Sequence, residues 1–205
     1  MYVARILYPV EVLGPGQRIG LWLSGCDRKC AGCSNPELWA QRENQRIDVS
    51  RLTALIHRLS LDRRVDGMTI TGGEPMAQAE ELSAFLSRVT DITDDILIYT
   101  GYTLEELRLM HDPAVEDVLH RVAVLIDGDY RAELNDGSRL RGSSNQRVHI
   151  FKEALRSKYE TYMLGENQIQ NFSLDGGIVS AGIHRPDYEM KLDEGAKRKG
   201  LFGIG

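Results

Sequence analysis

Five apolar runs recur at near-regular intervals along the chain, and they constrain the fold more than any other feature. They have the length and β-branched content of strands and occupy residues 18–24, 67–71, 95–100, 121–127 and 147–151. The stretches "ILIY" and "VAVLI" are continuously apolar rather than alternating, as expected of parallel strands covered on both faces. A sixth candidate strand covers residues 176–183.

Helical patterns lie between these runs. Residues 52–59 and 82–89 place apolar side chains at positions i, i+3, i+4 and i+7, and Ser50 is the expected N-cap of the first pattern. Thr103 with Glu106 predicts a capping box that opens another helix. Strands and helices therefore alternate along the chain.

This alternation predicts an α/β fold with right-handed crossovers. At 205 residues the chain is shorter than the roughly 250 residues typical of a closed eight-stranded barrel. We expect a partial, open parallel β/α barrel of about five or six βα units. Residues 1–190 would form this one domain, and residues 191–205 a mobile C-terminal tail. The polar segment 128–146 predicts a long loop, and long loops in compact domains are often functional.

Charge and hydropathy narrow the classes of function and the compartment. The formal net charge is −5, and no long basic block suggests a nucleic-acid partner. No apolar run approaches the roughly 20 residues that span a bilayer, and no signal peptide is evident at the start. We therefore expect a cytoplasmic protein that binds neither nucleic acid nor membrane.

All three cysteines, Cys26, Cys30 and Cys33, lie in the short stretch "SGCDRKCAGCSN". Their odd number and clustering argue against a disulfide framework and for a ligand cluster in a reducing compartment. Three thiolates at this spacing can each hold one iron of a 4Fe-4S cube, with the fourth iron left open. Structural zinc normally takes four ligands, so the fourth would have to be a distant histidine. The ligand count favours iron–sulfur but leaves zinc, or no metal, as alternatives.

A C-x3-C-x2-C motif directly after a strand resembles that of the radical S-adenosylmethionine enzymes. A second stretch, "TGGEP" at the end of the next strand, is similar to the GGE motif of that family. The resemblance implies a 4Fe-4S cluster and S-adenosylmethionine as cofactors, with Cys26, Cys30 and Cys33 as metal ligands and catalytic residues. It also implies that Gly72, Gly73 and Glu74 bind S-adenosylmethionine.

The chemistry of these residue types suits the implied roles. Two glycines without Cβ atoms would let the end of the strand approach a ligand closely, and Glu74 offers a carboxylate to a cationic amino group. In the family the reduced cluster cleaves S-adenosylmethionine to methionine and a 5'-deoxyadenosyl radical, which abstracts hydrogen from the substrate. A fourth thiolate would occupy the iron that has to bind this cofactor.

Further stretches, "YTGYTLEEL", "VLIDGDY" and "LRGSSNQR", resemble the small activating enzymes of glycyl-radical proteins, especially those of anaerobic ribonucleotide reductase. The resemblance covers about residues 10–151. It implies a glycyl-radical protein as partner and a flavodoxin- or ferredoxin-type electron donor. A radical enzyme acting on a small molecule or peptide is the first alternative, and a non-catalytic zinc or iron–sulfur module is the second.

Three further residues are weaker candidates for cofactor contacts. Asp127 ends a buried strand, where it would reach a ribose hydroxyl or simply stabilise a turn. Thr100 lies at the end of another strand, and Asn35 follows the cysteines in an ordinary turn sequence. The arginines of segment 139–147 would be available to a partner protein; these are Arg139, Arg141 and Arg147.

Overall fold

The structure is a computed structural model that describes residues 1–174, 177–185 and 188. Strands and helices alternate over most of this range, which confirms the α/β class. The predicted tail, residues 191–205, and the predicted domain boundary at residue 190 lie outside the described residues. In the part that is described, no helix has the length and apolar character needed to cross a membrane.

Six strands of the described chain form the main sheet, in the spatial order β1-β2-β3-β4-β5-β6. The inner pairs β2–β3, β3–β4 and β4–β5 are parallel, whereas β1 and β6 pair antiparallel with β2 and β5. The strands are β1 (Val3–Val10), β2 (Arg18–Leu23), β3 (Gly67–Gly72), β4 (Ile96–Tyr99), β5 (Val124–Asp127) and β6 (Arg147–Ile150).

The two edges of the sheet differ from the predicted series of parallel units. Strand β6 is antiparallel because the irregular segment 128–146 replaces the crossover helix that a parallel strand needs. Strand β1 is not among the predicted strands, since most of its residues are only half-buried and it contains Pro9, which an edge strand tolerates. The sheet is therefore mainly parallel, and its closure into a partial barrel stays a prediction.

Four helices cover one face of the sheet: α1 (Val49–Ser60), α2 (Ala79–Leu86), α3 (Leu104–Leu109) and α4 (Pro113–Arg121). Their apolar stripes pack against alternate residues of the inner strands, such as Leu21 and Ile98. The capping box of Thr103 and Glu106 is confirmed. The predicted cap Ser50 is wrong, because the Asp48 side chain accepts the Ser50 and Arg51 backbone N–H groups.

The other face of the sheet is covered by the last part of the chain. Helix α5 (Arg156–Met163) packs Tyr159 and Tyr162 against Leu97 and Ile126. Strands β7 (Ile169–Leu174) and β8 (Gly177–Gly182) form a separate antiparallel hairpin. The predicted last strand is therefore present as β8, but it pairs with β7 and does not join the main sheet.

A buried polar cluster joins α5 to the amino ends of the inner strands. The Arg18 guanidinium is fully buried and donates to Asp95 Oδ1 over 3.1 Å. Lys158 Nζ donates to the other Asp95 oxygen over 2.6 Å, and the Tyr159 hydroxyl also bonds this carboxylate. Burial opposes ionisation, but these partners hold the pKa of Asp95 below its ordinary value. The cluster lies at the end of the strands opposite the site described below.

Candidate functional site

A cleft lies at the carboxyl ends of the inner parallel strands, the edge where α/β proteins usually bind ligands. It gathers predicted residues from three loops that are far apart in sequence. The ends of β2, β3 and β4 each contribute a segment. Eight of the nine predicted site residues line it, namely Cys26, Cys30, Cys33, Asn35, Gly72, Gly73, Glu74 and Thr100.

The cysteine loop, residues 24–39, leaves β2 and folds back on itself. Gly25 N donates to Leu38 O over 2.8 Å and Cys26 N donates to Trp39 O over 2.9 Å, which ties the start of the loop to its end. Within the loop, Cys33 N donates to Cys30 O over 3.1 Å and forms a tight turn. This turn directs the second and third cysteines into one cleft with the first.

The donor set of this loop fits an iron–sulfur cluster. All three thiols are half-buried, and the Asn35 backbone N–H points at Cys33 Sγ over 3.4 Å, a contact that stabilises a thiolate. No group of His, Cys, Asp and Glu side chains among the described residues converges on a single metal ion. A cube does not need such convergence, because each thiolate binds a different iron.

Burial raises the pKa of the Cys30 thiol, and the nearby negative charge of Asp129 and the other two cysteines add to the shift. A metal-free loop therefore holds its proton on Cys30 more tightly than an exposed cysteine does. Binding of a cation would reverse this preference, since a coordinating thiol is deprotonated. The Cys30 thiolate would accordingly gain its stability from the group that it binds.

The GGE segment is fastened directly to the cysteine loop. Gly73 N donates to Leu23 O and Glu74 N donates to Gly25 O, both over 2.8 Å. A Cβ on Gly72 would lie 2.4 Å from Leu23 O, and one on Gly73 would lie 2.4 Å from Gly25 O. Both glycines thus permit contact with the backbone at the end of β2. The sequence suggested that these glycines let a ligand approach the strand end closely. In this structure they let the GGE segment approach the start of the cysteine loop closely.

Glu74 is the buried acid of the cleft, with 2% of its surface exposed. Oε1 accepts the Met76 N–H and the Thr100 hydroxyl, and Oε2 accepts the Gly101 N–H over 2.7 Å. Burial raises the pKa of Glu74, while these donors and the nearby Arg28 oppose the rise. Thr100 therefore contacts Glu74 directly and fixes the orientation of its carboxylate.

Arg28 is a functional candidate that sequence reasoning missed. It stands between the first two cysteines, lines the cleft, and stacks its guanidinium 4.6 Å from the Tyr102 ring centroid. Its Nε donates to Asp129 Oδ1, and its Nη2 donates to the Gly101 carbonyl. Partial burial works against the charge, but Asp129 and Glu106 raise the pKa of Arg28. Its position inside the motif "CDRKC" is the only signal in the sequence.

Asp127 does not line the cleft as the described residues define it. Its buried carboxylate accepts the Leu104 N–H at the start of α3 over 2.7 Å, and it pairs with Arg147 and His149 over 2.9 Å each. Burial opposes this ionised state, but Arg147, the Leu104 N–H and His149 lower the pKa of Asp127. The structure thus gives this residue three protein partners, and its expected contact with a cofactor hydroxyl stays a prediction.

The long segment 128–146 forms one side of the cleft through Tyr130, Gly142 and Gln146. The arginines that were expected to be available to a partner protein each contact another side chain of this chain. Arg139 stacks 4.0 Å from the Tyr162 ring centroid, and Arg141 bonds Asp136 over 2.8 Å. Arg147 is held by Asp127 and by Glu105.

Comparison with known proteins identifies the family of the chain. Residues 12–149 match the family model described as a 4Fe-4S single cluster domain. The anaerobic ribonucleoside-triphosphate reductase-activating protein of Vibrio cholerae is 39% identical over 153 residues, which cover 70% of this chain and 95% of that protein.

Two further proteins of the same name are similar to the chain. That of Enterobacteria phage T4 is 35% identical over 147 residues, covering 69% of this chain and 90% of the phage protein. That of Escherichia coli K12 is 35% identical over 154 residues, covering 71% of this chain and 96% of the relative. The chain therefore belongs to the family of anaerobic ribonucleoside-triphosphate reductase-activating proteins, which are radical S-adenosylmethionine enzymes with a 4Fe-4S cluster.

Proposed function

We propose that this protein generates a glycyl radical on a partner enzyme, and that the partner is an anaerobic ribonucleotide reductase. One observation carries the proposal: the three cysteines and the GGE segment, which are more than 30 positions apart, line the same cleft, and two backbone hydrogen bonds join the GGE segment to Leu23 and Gly25, just before the first cysteine. The names of the relatives supply the class of partner. When bound, the cluster supplies the electron that cleaves S-adenosylmethionine.

In this proposal Cys26, Cys30 and Cys33 hold the cluster. Glu74 receives the amino group of S-adenosylmethionine, since its buried carboxylate lines the cleft and is already oriented by Thr100 and the Gly101 N–H. Pre-orientation of this kind reduces the entropy lost when the ligand binds.

The other residues predicted to bind the cofactor have different roles in this proposal. Gly72 and Gly73 hold the GGE segment against the cysteine loop, and Asn35 contacts the cofactor from the rim of the cleft. Asp127 acts from a distance, because it fixes the first turn of α3 behind Thr100 and Tyr102. Arg28 positions the loop that carries the cysteines.

The proposal also includes the partial barrel, the electron donor and the cellular compartment. The mainly parallel sheet would curl as a partial, open barrel within residues 1–190, with the cleft at its mouth. A flavodoxin- or ferredoxin-type protein would reduce the cluster, and the reaction would take place in the cytoplasm. A loop of the partner carrying the target glycine would enter the cleft from the open side.

The test uses the anoxically reconstituted holoprotein with its cognate reductase, S-adenosylmethionine and a low-potential reductant. A stable glycyl radical should appear on the reductase by electron paramagnetic resonance, with one 5'-deoxyadenosine and one methionine released per radical. The matched control omits S-adenosylmethionine. Repeated turnover of a small molecule in the absence of any partner protein would contradict the proposal, and a colourless zinc-loaded protein would contradict every radical mechanism.

A further inference from the structure

The hairpin β7–β8 is a part of the cleft that the family comparison does not cover. The family model ends at residue 149, whereas the hairpin spans residues 169–182. The alignment with the Vibrio cholerae relative covers 95% of that protein but only 70% of this chain. Nevertheless the segment 180–184 lines the same cleft as the three cysteines. A segment outside the family match therefore contributes to the family's reaction site.

The hairpin is fastened by side-chain amides at its open end, where β7 begins and β8 ends. At the end near the cleft, Asn167 Nδ2 donates to Ile183 O and Asn135 Nδ2 donates to His184 O, both over 2.8 Å. At the same end Gln170, the second residue of β7, donates from Nε2 to Pro9 O over 2.8 Å, and its Oε1 accepts the Glu11 N–H. These bonds attach the hairpin to β1, the chain that follows it, and the segment 128–146.

Apolar side chains of both hairpin strands also pack against the sheet. Ala181 is 3% exposed and belongs to a cluster with Val10 and Trp22, on which Phe172 and Val179 also pack. Trp22 and Ala181 both line the cleft as well. The contact that secures the hairpin is thus continuous with the apolar wall of the reaction site.

We propose that the hairpin β7–β8 is a fixed wall that keeps small hydrogen-atom donors, such as thiols, out of the reaction site. This inference rests on the proposed function. Each reductive cleavage uses one electron and one S-adenosylmethionine, and the hydrogen that completes 5'-deoxyadenosine must come from the glycine Cα. A thiol that reaches the site supplies this hydrogen instead and becomes a thiyl radical, so 5'-deoxyadenosine forms without a glycyl radical. Excluding such solutes keeps cleavage coupled to activation.

The structure indicates why this chain supplies the wall itself. The main sheet has six strands among the described residues, with β1 and β6 at its edges, and the face opposite α1–α4 is not covered by further strands of this sheet. The hairpin and α5 occupy that face. A partner loop then has to approach from the carboxyl ends of the strands, because the side is blocked.

The experiment loosens the wall without touching the cysteine loop. The double variant Asn167→Ala/Gln170→Ala removes two of the amide anchors at the open end of the hairpin, and Asn44→Ala, at an exposed position in a short turn, is the control. Hydrogen exchange in residues 177–184 should accelerate at least about fivefold in the double variant, the equivalent of losing one neutral hydrogen bond, because the two side chains together form several such bonds. Iron content should equal that of the wild type.

Coupling is then measured with the cognate reductase in D2O buffer that contains dithiothreitol. The double variant should form several 5'-deoxyadenosine molecules per glycyl radical, and more of them should carry deuterium than in the wild type or the Asn44→Ala control. Unchanged exchange in residues 177–184 would contradict the anchoring, and faster exchange with unchanged coupling would contradict the wall. A wild-type protein that forms no glycyl radical at all would instead refute the proposed function.

Discussion

Arg28 Nε donates to Asp129 Oδ1 over 2.8 Å, a contact between residues separated by 101 positions in the chain. It joins the cysteine loop after β2 to the segment after β5. The same guanidinium bonds the Gly101 carbonyl after β4, so one side chain ties three loops of the cleft together. The cysteine loop is therefore held by contacts of Arg28 in its middle as well as by the backbone hydrogen bonds at its ends.

Replacing Arg28 by Gln should loosen the cysteine loop and speed the loss of iron to a chelator about tenfold or more. The substitution removes a charged hydrogen bond worth about 1.5–3 kcal/mol. The control is Lys29→Gln, which changes the same charge at the neighbouring exposed position. Equal rates of iron release in the two variants would show that Arg28 does not hold the loop.

Replacing Glu74 by Gln should weaken binding of S-adenosylmethionine by roughly 10- to 150-fold, because a charge-assisted hydrogen bond of about 1.5–3 kcal/mol is lost. Iron content should stay at the wild-type level, since Glu74 is not proposed as a ligand of the cluster. Calorimetric titration of the anoxic holoprotein measures the affinity, with the exposed Glu80→Gln as control. Wild-type affinity in the variant would remove Glu74 from the cofactor site.

Gly73→Ala should destabilise the protein by about 1–3 kcal/mol, the usual cost of inserting a group where no space exists. The new Cβ would lie 2.4 Å from Gly25 O, and neither backbone can move away without breaking the Glu74 N–H···O bond to Gly25. Urea unfolding measures the loss, and Ala77→Ser, an added atom at an exposed position, serves as control. A variant as stable as the wild type would disprove the close docking of the two motifs.

Replacing any one of the three cysteines by Ala should abolish turnover and strongly reduce bound iron. The chain contains no spare cysteine that would take over as ligand. Iron analysis and the brown absorbance of the anoxic protein measure the loss for Cys26→Ala, Cys30→Ala and Cys33→Ala, and Ser87→Ala on the surface is the control. A fully iron-loaded, active Cys30→Ala protein would contradict the assignment.

The buried cluster at the other end of the sheet predicts how stability depends on pH. Because the pKa of Asp95 is lower in the folded protein than its ordinary value of 3.8, its contribution is fully present above that value. It is lost as the pH falls through the lower folded-state pKa. At neutral pH, Asp95→Asn should cost about 3–5 kcal/mol, since Arg18 and Lys158 lose their charged partner.

Urea unfolding between pH 7 and pH 2 tests this expectation. The wild type should lose more stability below pH 3.8 than Asp95→Asn does, so the two curves should converge in acid. Asp91→Asn is the control, because the Asp91 side chain is 68% exposed and pairs only with His57 among the described residues. Parallel curves for the wild type and Asp95→Asn would show that this carboxylate is not stabilised by folding.

The inner strands and the two motifs were predictable because their signals are local. Continuous apolar runs identified β4 and β5, and the spacing of three cysteines predicted the cluster loop within a few residues. In each βα unit a strand is followed by a motif and then by a helix. This order places each motif at the carboxyl end of a strand. Local patterns of this kind do not depend on the rest of the fold.

The contacts that complete the site left no such pattern. Arg28 and Asp129, or Asn135 and the hairpin, meet only after the sheet has formed, and no periodicity links residues so far apart. Asp127 shows the converse: its position at a strand end suggested a ligand, yet Arg147 and His149 on the neighbouring antiparallel strand occupy its carboxylate. That pairing depends on the reversed direction of β6, which the sequence pattern did not indicate.

The buried cluster around Arg18 also decides how far the chain can be shortened. Ending it at residue 149, where the family match stops, would delete Lys158 and Tyr159 and uncover Leu97 and Ile126. An isolated fragment of that length would expose to water the arginine–aspartate pair that the whole chain buries, and it would leave an apolar face uncovered, which favours aggregation over a stable monomer. A chimaera with one of the shorter relatives therefore has to exchange the sheet and its last helix together.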